Sequence, residues 1–108
     1  MKHKTAELQG DALDYMVRCA VQGEQPFCSV AEWAASNDGG WHPSTNWEQG
    51  GPIIEREEID VSRNEYPRWS ACLPLTEWTD MVGFGPTPLV AAMRAFVLAK
   101  LGGQVELP

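Results

Sequence analysis

Apolar positions recur at helical spacing near both ends of the chain and alternate only partly in the middle. Leu13, Met16, Val17 and Ala20 fall three to four residues apart, which predicts a helix from Gly10 or Asp11 to about Gln22. Gly23 stands where such a helix stops, and Asp11 and Asp14 in the first turn complement its dipole. Near the other end, Leu89, Val90, Met93, Phe96, Val97 and Leu101 form one apolar stripe. Thr87 can cap this second helix, Pro88 suits its first position, and Gly102 lies just past its end. Arg94 and Lys100 sit off the stripe, with Lys100 in the last turn where a cation is favoured.

Between the helices, Ile59 and Val61 face the same way if residues 53–61 are extended, and this predicts a strand. Residues 62–67 read as a connection, and residues 68–73 as a second strand closed by Pro74. Together they predict an antiparallel hairpin with one polar face. Residues 5–8 read as a short extended lead-in. In residues 24–40 the pattern is weak. Pro26 to Val30 can form a strand, or Ser29 can cap a short helix through Ala35, and both readings stay open. Asn37-Asp38-Gly39-Gly40 is a turn signal. The expected fold is α+β: one domain over residues 1–108, with about three mainly antiparallel strands packed against two amphipathic helices. So small a sheet has edges and a limited core, so a homodimer is expected to cover the exposed surface.

Residues 41–57 hold two tryptophans, Gly50-Gly51 and two prolines, too irregular a mixture for one helix or one strand. They predict a long, shaped loop with an amphipathic surface. Gly50-Gly51 before Pro52 suits a turn with positive φ. It can also bring backbone N–H groups close to a ligand, although dinucleotide and P-loop glycine spacing is missing and no lysine follows. In the sharper reading Trp41 or Trp47 is a stacking wall, Asn46 and Gln49 read polar edges, and Arg56 or Arg94 neutralises a phosphate.

Charge and composition narrow the options. The 108 residues carry fifteen Asp and Glu against eight Lys and Arg, a formal net charge of −7. Glu48, Glu55, Glu57, Glu58, Asp60 and Glu65 cluster in residues 48–66, opposed there by Arg56 and Arg63. General DNA or RNA binding is disfavoured, because the phosphate backbone is repelled. A solvated surface or a basic protein partner fits. Five tryptophans in so short a chain place some indoles at a boundary of the core or of a contact surface. The three cysteines have no paired spacing, no signal peptide precedes the first helix, and no stretch approaches the ~18 apolar residues of a membrane span. The expectation is a cytoplasmic protein with small buried thiols and no membrane contact.

Candidate chemistry is sparse. His3, His42 and the cysteines lack metal-ligand spacing, so neither metal nor cofactor is expected. Ser44 or Ser70 with His42, or Cys28 or Cys72 with His42, has no motif to support covalent catalysis. Glu55 and Glu57 would share one side of a strand, where like charges can raise one pKa. A solvated acidic strand face gives the same pattern.

Two blocks, residues 43–57 (Pro43 to Glu57) and residues 85–102 (Gly85-Pro86-Thr87-Pro88 onward to Lys100-Leu101-Gly102), resemble the NinX family of small temperate-phage proteins. Residues 7–14 form a weaker third block. The resemblance implies a phage accessory protein acting in a bacterial cytoplasm, and it supplies no catalytic or binding residues. The expected function is non-enzymatic: binding a bacterial host protein through the Trp-rich loop and acidic face. The alternative is a module that holds a nucleotide-like small molecule where Trp47, Gln49, Gly50 and an arginine converge.

Overall fold

A computed structural model describes residues 2–23, 28–36, 40–65 and 68–107. The fold is α+β, as the sequence predicts. Strand β1 (Lys2–Lys4) leads through one 3-10 turn (Thr5–Glu7) into α1 (Gly10–Gln22), α2 (Val30–Ser36) and α3 (Trp47–Arg56). Strands β2 (Asp60–Arg63), β3 (Trp69–Pro74) and β4 (Asp80–Gly85) precede α4 (Pro88–Leu101), and β5 (Gln104–Glu106) follows.

β2, β3 and β4 make one antiparallel sheet in sequence order, with Val61 opposite Ala71 and Ala71 opposite Gly83. α4 lies on one face of that sheet, and α1 and α3 pack on α4 from elsewhere. This central position explains its composition. Leu89, Val90, Met93, Phe96 and Val97 are buried, but so are Ala91, Ala92 and Ala95, and a helix enclosed on several sides is apolar most of the way round. The alanines meet small residues on the strands. A Cβ on Gly83 would lie 2.5 Å from both Ala91 O and Ala95 N, so helix and strand approach nearly backbone to backbone.

Both predicted helices form with the expected punctuation. α1 stops at Gly23, whose φ of 79° is left-handed. Thr87 Oγ1 accepts from Val90 N at 3.1 Å at the start of α4, and Gly102 ends it. The weak region resolves to a helix: Ser29 Oγ accepts from Glu32 N at 3.1 Å and Ser29 N donates toward Glu32 Oε1, a capping box at the start of α2. Residues 37–39 of the expected turn, residues 26–27 of the alternative strand, and residues 66–67 of the predicted connection lie outside the described residues.

Three expectations are corrected. Residues 5–7 form a 3-10 turn and only Leu8 is extended; Thr5 is fully buried, donating its Oγ1 to Gly102 O at 2.7 Å and its N to Gly103 O at 2.9 Å. Extension occurs just before it, where β1 pairs with β5. Residues 53–56 are helical, not strand, and the strand covers only Asp60–Arg63. Glu57 N and Ile59 N still bond back to Ile53 O and Ile54 O, and Glu58 at φ 56° turns the chain toward the sheet. Two helices were expected, and four form among the described residues.

Candidate functional site

The block at 40–56 is built from inside outward. His42 O accepts from Asn46 N at 2.8 Å and closes a turn over Pro43, Ser44 and Thr45. Asn46 then caps α3, its Oδ1 accepting from Glu48 N at 2.9 Å. Gln49 reaches back along the loop, accepting from His42 N and donating to Gly40 O. Gly50 is buried, and a Cβ there would run into Pro43 O and come 2.7 Å from Leu89 Cδ2. The predicted loop is therefore helical from Trp47 onward. Neither Gly50 nor Gly51 has positive φ, so the turn reading of the diglycine is also corrected. Gly50, Ile53, Ile54 and Glu57 form an inward stripe at i, i+3, i+4, i+7, and this helical period is masked in the sequence because glycine stands at an inward position.

The proposed site residues separate. Trp41 is half-buried against the core. Asn46, Gln49 and Gly50 hold the loop in shape. Gly51 has open space where a side chain would go. Arg56 bonds Glu57 at 3.1 Å, and Lys100 reaches the other Glu57 oxygen at 3.2 Å. Arg94 donates Nε to Leu8 O and Nη1 to Phe84 O, both at 2.8 Å, tying the lead-in of α1 to β4. Burial pulls its guanidinium below the ordinary value and Glu7 partly offsets this. Trp47 alone of the set keeps a large open apolar surface, at 56% exposed. It walls a cleft of about 240 Å³ with Thr45 on its own side and Thr87, Pro88 and Val90 opposite. Gln49, Gly50 and the arginines do not line this cleft, so the convergence expected for a nucleotide does not form.

The paired-carboxylate arrangement fails too. Glu55 is exposed on a helix and Glu57 sits past its end, so they share no strand face. Burial raises the Glu57 carboxyl, but hydrogen bonds and charge from Lys100 and Arg56 outweigh it and leave the pKa below the ordinary value. Of the cysteines only Cys19 is buried, where burial raises its thiol pKa; Cys28 and Cys72 are half-buried. This corrects the expectation that all three are buried.

Two features escaped the sequence reading. Asp14, 2% exposed, accepts from Ser44 N at 2.9 Å with Oδ1, while its Oδ2 lies 3.3 Å from His42 Nδ1. Asp11 and Asp14 share a face of α1, but His42 stands 28 residues further on, a separation that no local spacing rule reports. The second is β4. Val82 and Phe84 project from the sheet face opposite α4, 37% and 46% exposed, and the hairpin before them exposes Leu75 and, at 89%, Trp78. The alternation is visible in Met81-Val82-Gly83-Phe84-Gly85, but glycines on the inward side conceal it.

Residues 4–100 match the family model described as bacteriophage P22, NinX. The chain belongs to that family. Comparison with curated proteins gives no match. The NinX match spans the 40–56 block, the three-stranded sheet and nearly all of α4. It leaves out β5, so the terminal ribbon lies largely beyond it. No helix among the described residues is long and apolar enough to cross a membrane.

Proposed function

We propose that this phage protein acts by non-covalent binding of a bacterial host protein, in the host cytoplasm and without catalysing a reaction. The observation that carries this is the uncovered sheet face. Val82 and Phe84 are open to solvent and continue into Leu75 and Trp78 of the hairpin. Asp60 and Asp80 lie on the same face and Glu77 in the hairpin, all exposed. Aromatic anchors inside a charged rim are what protein interfaces use, and an acidic rim selects a partner with basic residues around an apolar centre. Trp47 is a second open indole, at the α3 end of the molecule. The contact thus shifts from the Trp41–Trp47 segment of the sequence reading toward β4.

The test is recovery of host proteins on the immobilised chain, comparing wild type with Phe84→Ser, Trp78→Ala and Trp47→Ala. A specific partner lost with the first two variants supports the reading; equal recovery by all four sinks it. Sedimentation of the free chain examines the expected homodimer, which would use the same face.

The cleft beside Trp47 favours a second reading, a planar small molecule stacked on the indole. Thermal shift against a nucleotide panel examines it, and no stabilisation by any member removes it.

A further inference from the structure

We infer that Asp11, Asp14 and His42 form a site for one divalent transition-metal ion of the zinc class, where α1 meets the loop before α3. A carboxylate oxygen of each aspartate and a ring nitrogen of His42 lie within 4.8 Å of one another. Two donors on one tetrahedral ion with bonds of about 2.0–2.1 Å stand about 3.3 Å apart. His42 Nδ1 and Asp14 Oδ2 are 3.3 Å apart, so one ion can bridge them with little movement of either. Asp11 closes the third corner from one turn earlier on the same face of α1.

The two inner ligands are already held. Asp14 Oδ1 is occupied by Ser44 N at 2.9 Å, which leaves Oδ2 for the ion. The backbone of His42 is fixed by the Gln49 side chain. Outer contacts of this kind orient metal-bound carboxylates and imidazoles. The depth is graded: the Asp14 side chain is 3% exposed, that of His42 is 32%, and Asp11 is exposed. An ion therefore enters past Asp11 and rests on Asp14.

Two further observations point to a ligand. Neither carboxylate pairs with a lysine or arginine among the described residues, and buried Asp14 meets His42 and the Ser44 amide instead. Independently, Ser44 Oγ is buried without a hydrogen-bond partner, in the very residue whose N–H holds Asp14. Three protein ligands leave a position for water on the ion. One imidazole with two carboxylates suits zinc-class ions better than calcium or magnesium, which favour all-oxygen sets.

The experiment uses the full, untagged chain stripped of metal, titrated with Zn²⁺ by calorimetry and with Co²⁺ by visible absorption. The expected result is one ion per chain, tetrahedral Co²⁺ bands, and a rise in Tm on Zn²⁺ addition. Asp11→Asn should weaken binding at least ~10-fold. Asp11 is exposed and takes no part in the Asp14–Ser44–His42 bonds, so this variant should keep the wild-type circular dichroism. His42→Ala should remove the Co²⁺ bands, and His3→Ala should leave them unchanged. No binding by wild type at 100 µM metal, or wild-type affinity in either Asp11→Asn or His42→Ala, overturns the site.

Discussion

The two faces of the three-stranded sheet come from the same strands and could hardly be more different. On one face Ala71, Leu73, Gly83 and Gly85 are buried, and at the two glycines α4 approaches so closely that a side chain is excluded. On the other lie Ser70, Cys72, Val82 and Phe84 in the register shown by the strand pairs, the first two half-buried and the last two exposed. The closed face combines two glycines with buried Leu73 and half-buried Trp69, while the open face leaves Val82 and Phe84 exposed. In a chain this short, bulky apolar residues are not a reliable sign of the interior.

The largest effect should come from the closed face. Gly83→Ala puts a methyl group 2.5 Å from backbone atoms of α4, and backbone cannot rotate away as a flexible side chain can. We expect a loss of about 3 kcal/mol in urea unfolding. A loss below about 1 kcal/mol would mean that α4 is free to move off the sheet, and the contrast between faces would dissolve.

Next comes the neighbouring glycine pair, which applies the same logic to α3. Gly50→Ala meets Pro43 O and Leu89 and should destabilise by about 2 kcal/mol. Gly51→Ala meets nothing within 4 Å beyond its chain neighbours, and its gain in helix propensity is opposed by the Cβ restriction before Pro52, so it should change stability by less than about 0.5 kcal/mol. Chemical denaturation of both variants reads the difference, and equal effects would remove the close approach of α3 to the loop.

These glycines also show why legibility was uneven. Both terminal-side helices could be read because their punctuation is local: Thr87-Pro88 and Gly102 for α4, Gly23 for α1. α3 and β4 could not, because in each the inward face is held by glycine, chosen for its lack of bulk. The period was present, but glycine interrupts it beside Ile53 and Ile54 in α3 and beside Met81 in β4. Among the candidate site residues, Trp47 was recognisable as an exposed aromatic. Gln49 and Arg94 were not recognisable as braces, since their partners, His42 N, Gly40 O, Leu8 O and Phe84 O, are backbone atoms set by the folded chain. Asp14 with His42 needed the docking of a loop on α1, which is tertiary information.

The open face should tolerate change. Phe84→Ser should alter stability by no more than about 1 kcal/mol, because its ring covers little of the core and the Arg94 bond is to its carbonyl. Cooperative unfolding of this variant at wild-type denaturant, with partner recovery lost, sharpens the contrast; collapse of the fold breaks it.

The smallest effect is electrostatic. Glu57 has a pKa below its ordinary value of 4.5, so its contribution is complete above that value and fades as pH falls through the folded value. The difference in Tm between wild type and Glu57→Gln should be greatest near neutral pH and narrow below about pH 4.5. A gap that stays constant down to pH 3 would mean that the Lys100 and Arg56 contacts do not couple to folding.

The ribbon of β1 and β5 has a mechanical consequence. Lys2 lies across from Glu106 and Lys4 across from Gln104, so Lys2 and Glu106 lie side by side at one end of the ribbon. Tension applied between them would open this ribbon like a zipper, rung by rung at low force, until it reached the hydroxyl clasp of Thr5 on Gly102. That residue, rather than the sheet, is where a stretched molecule would first resist.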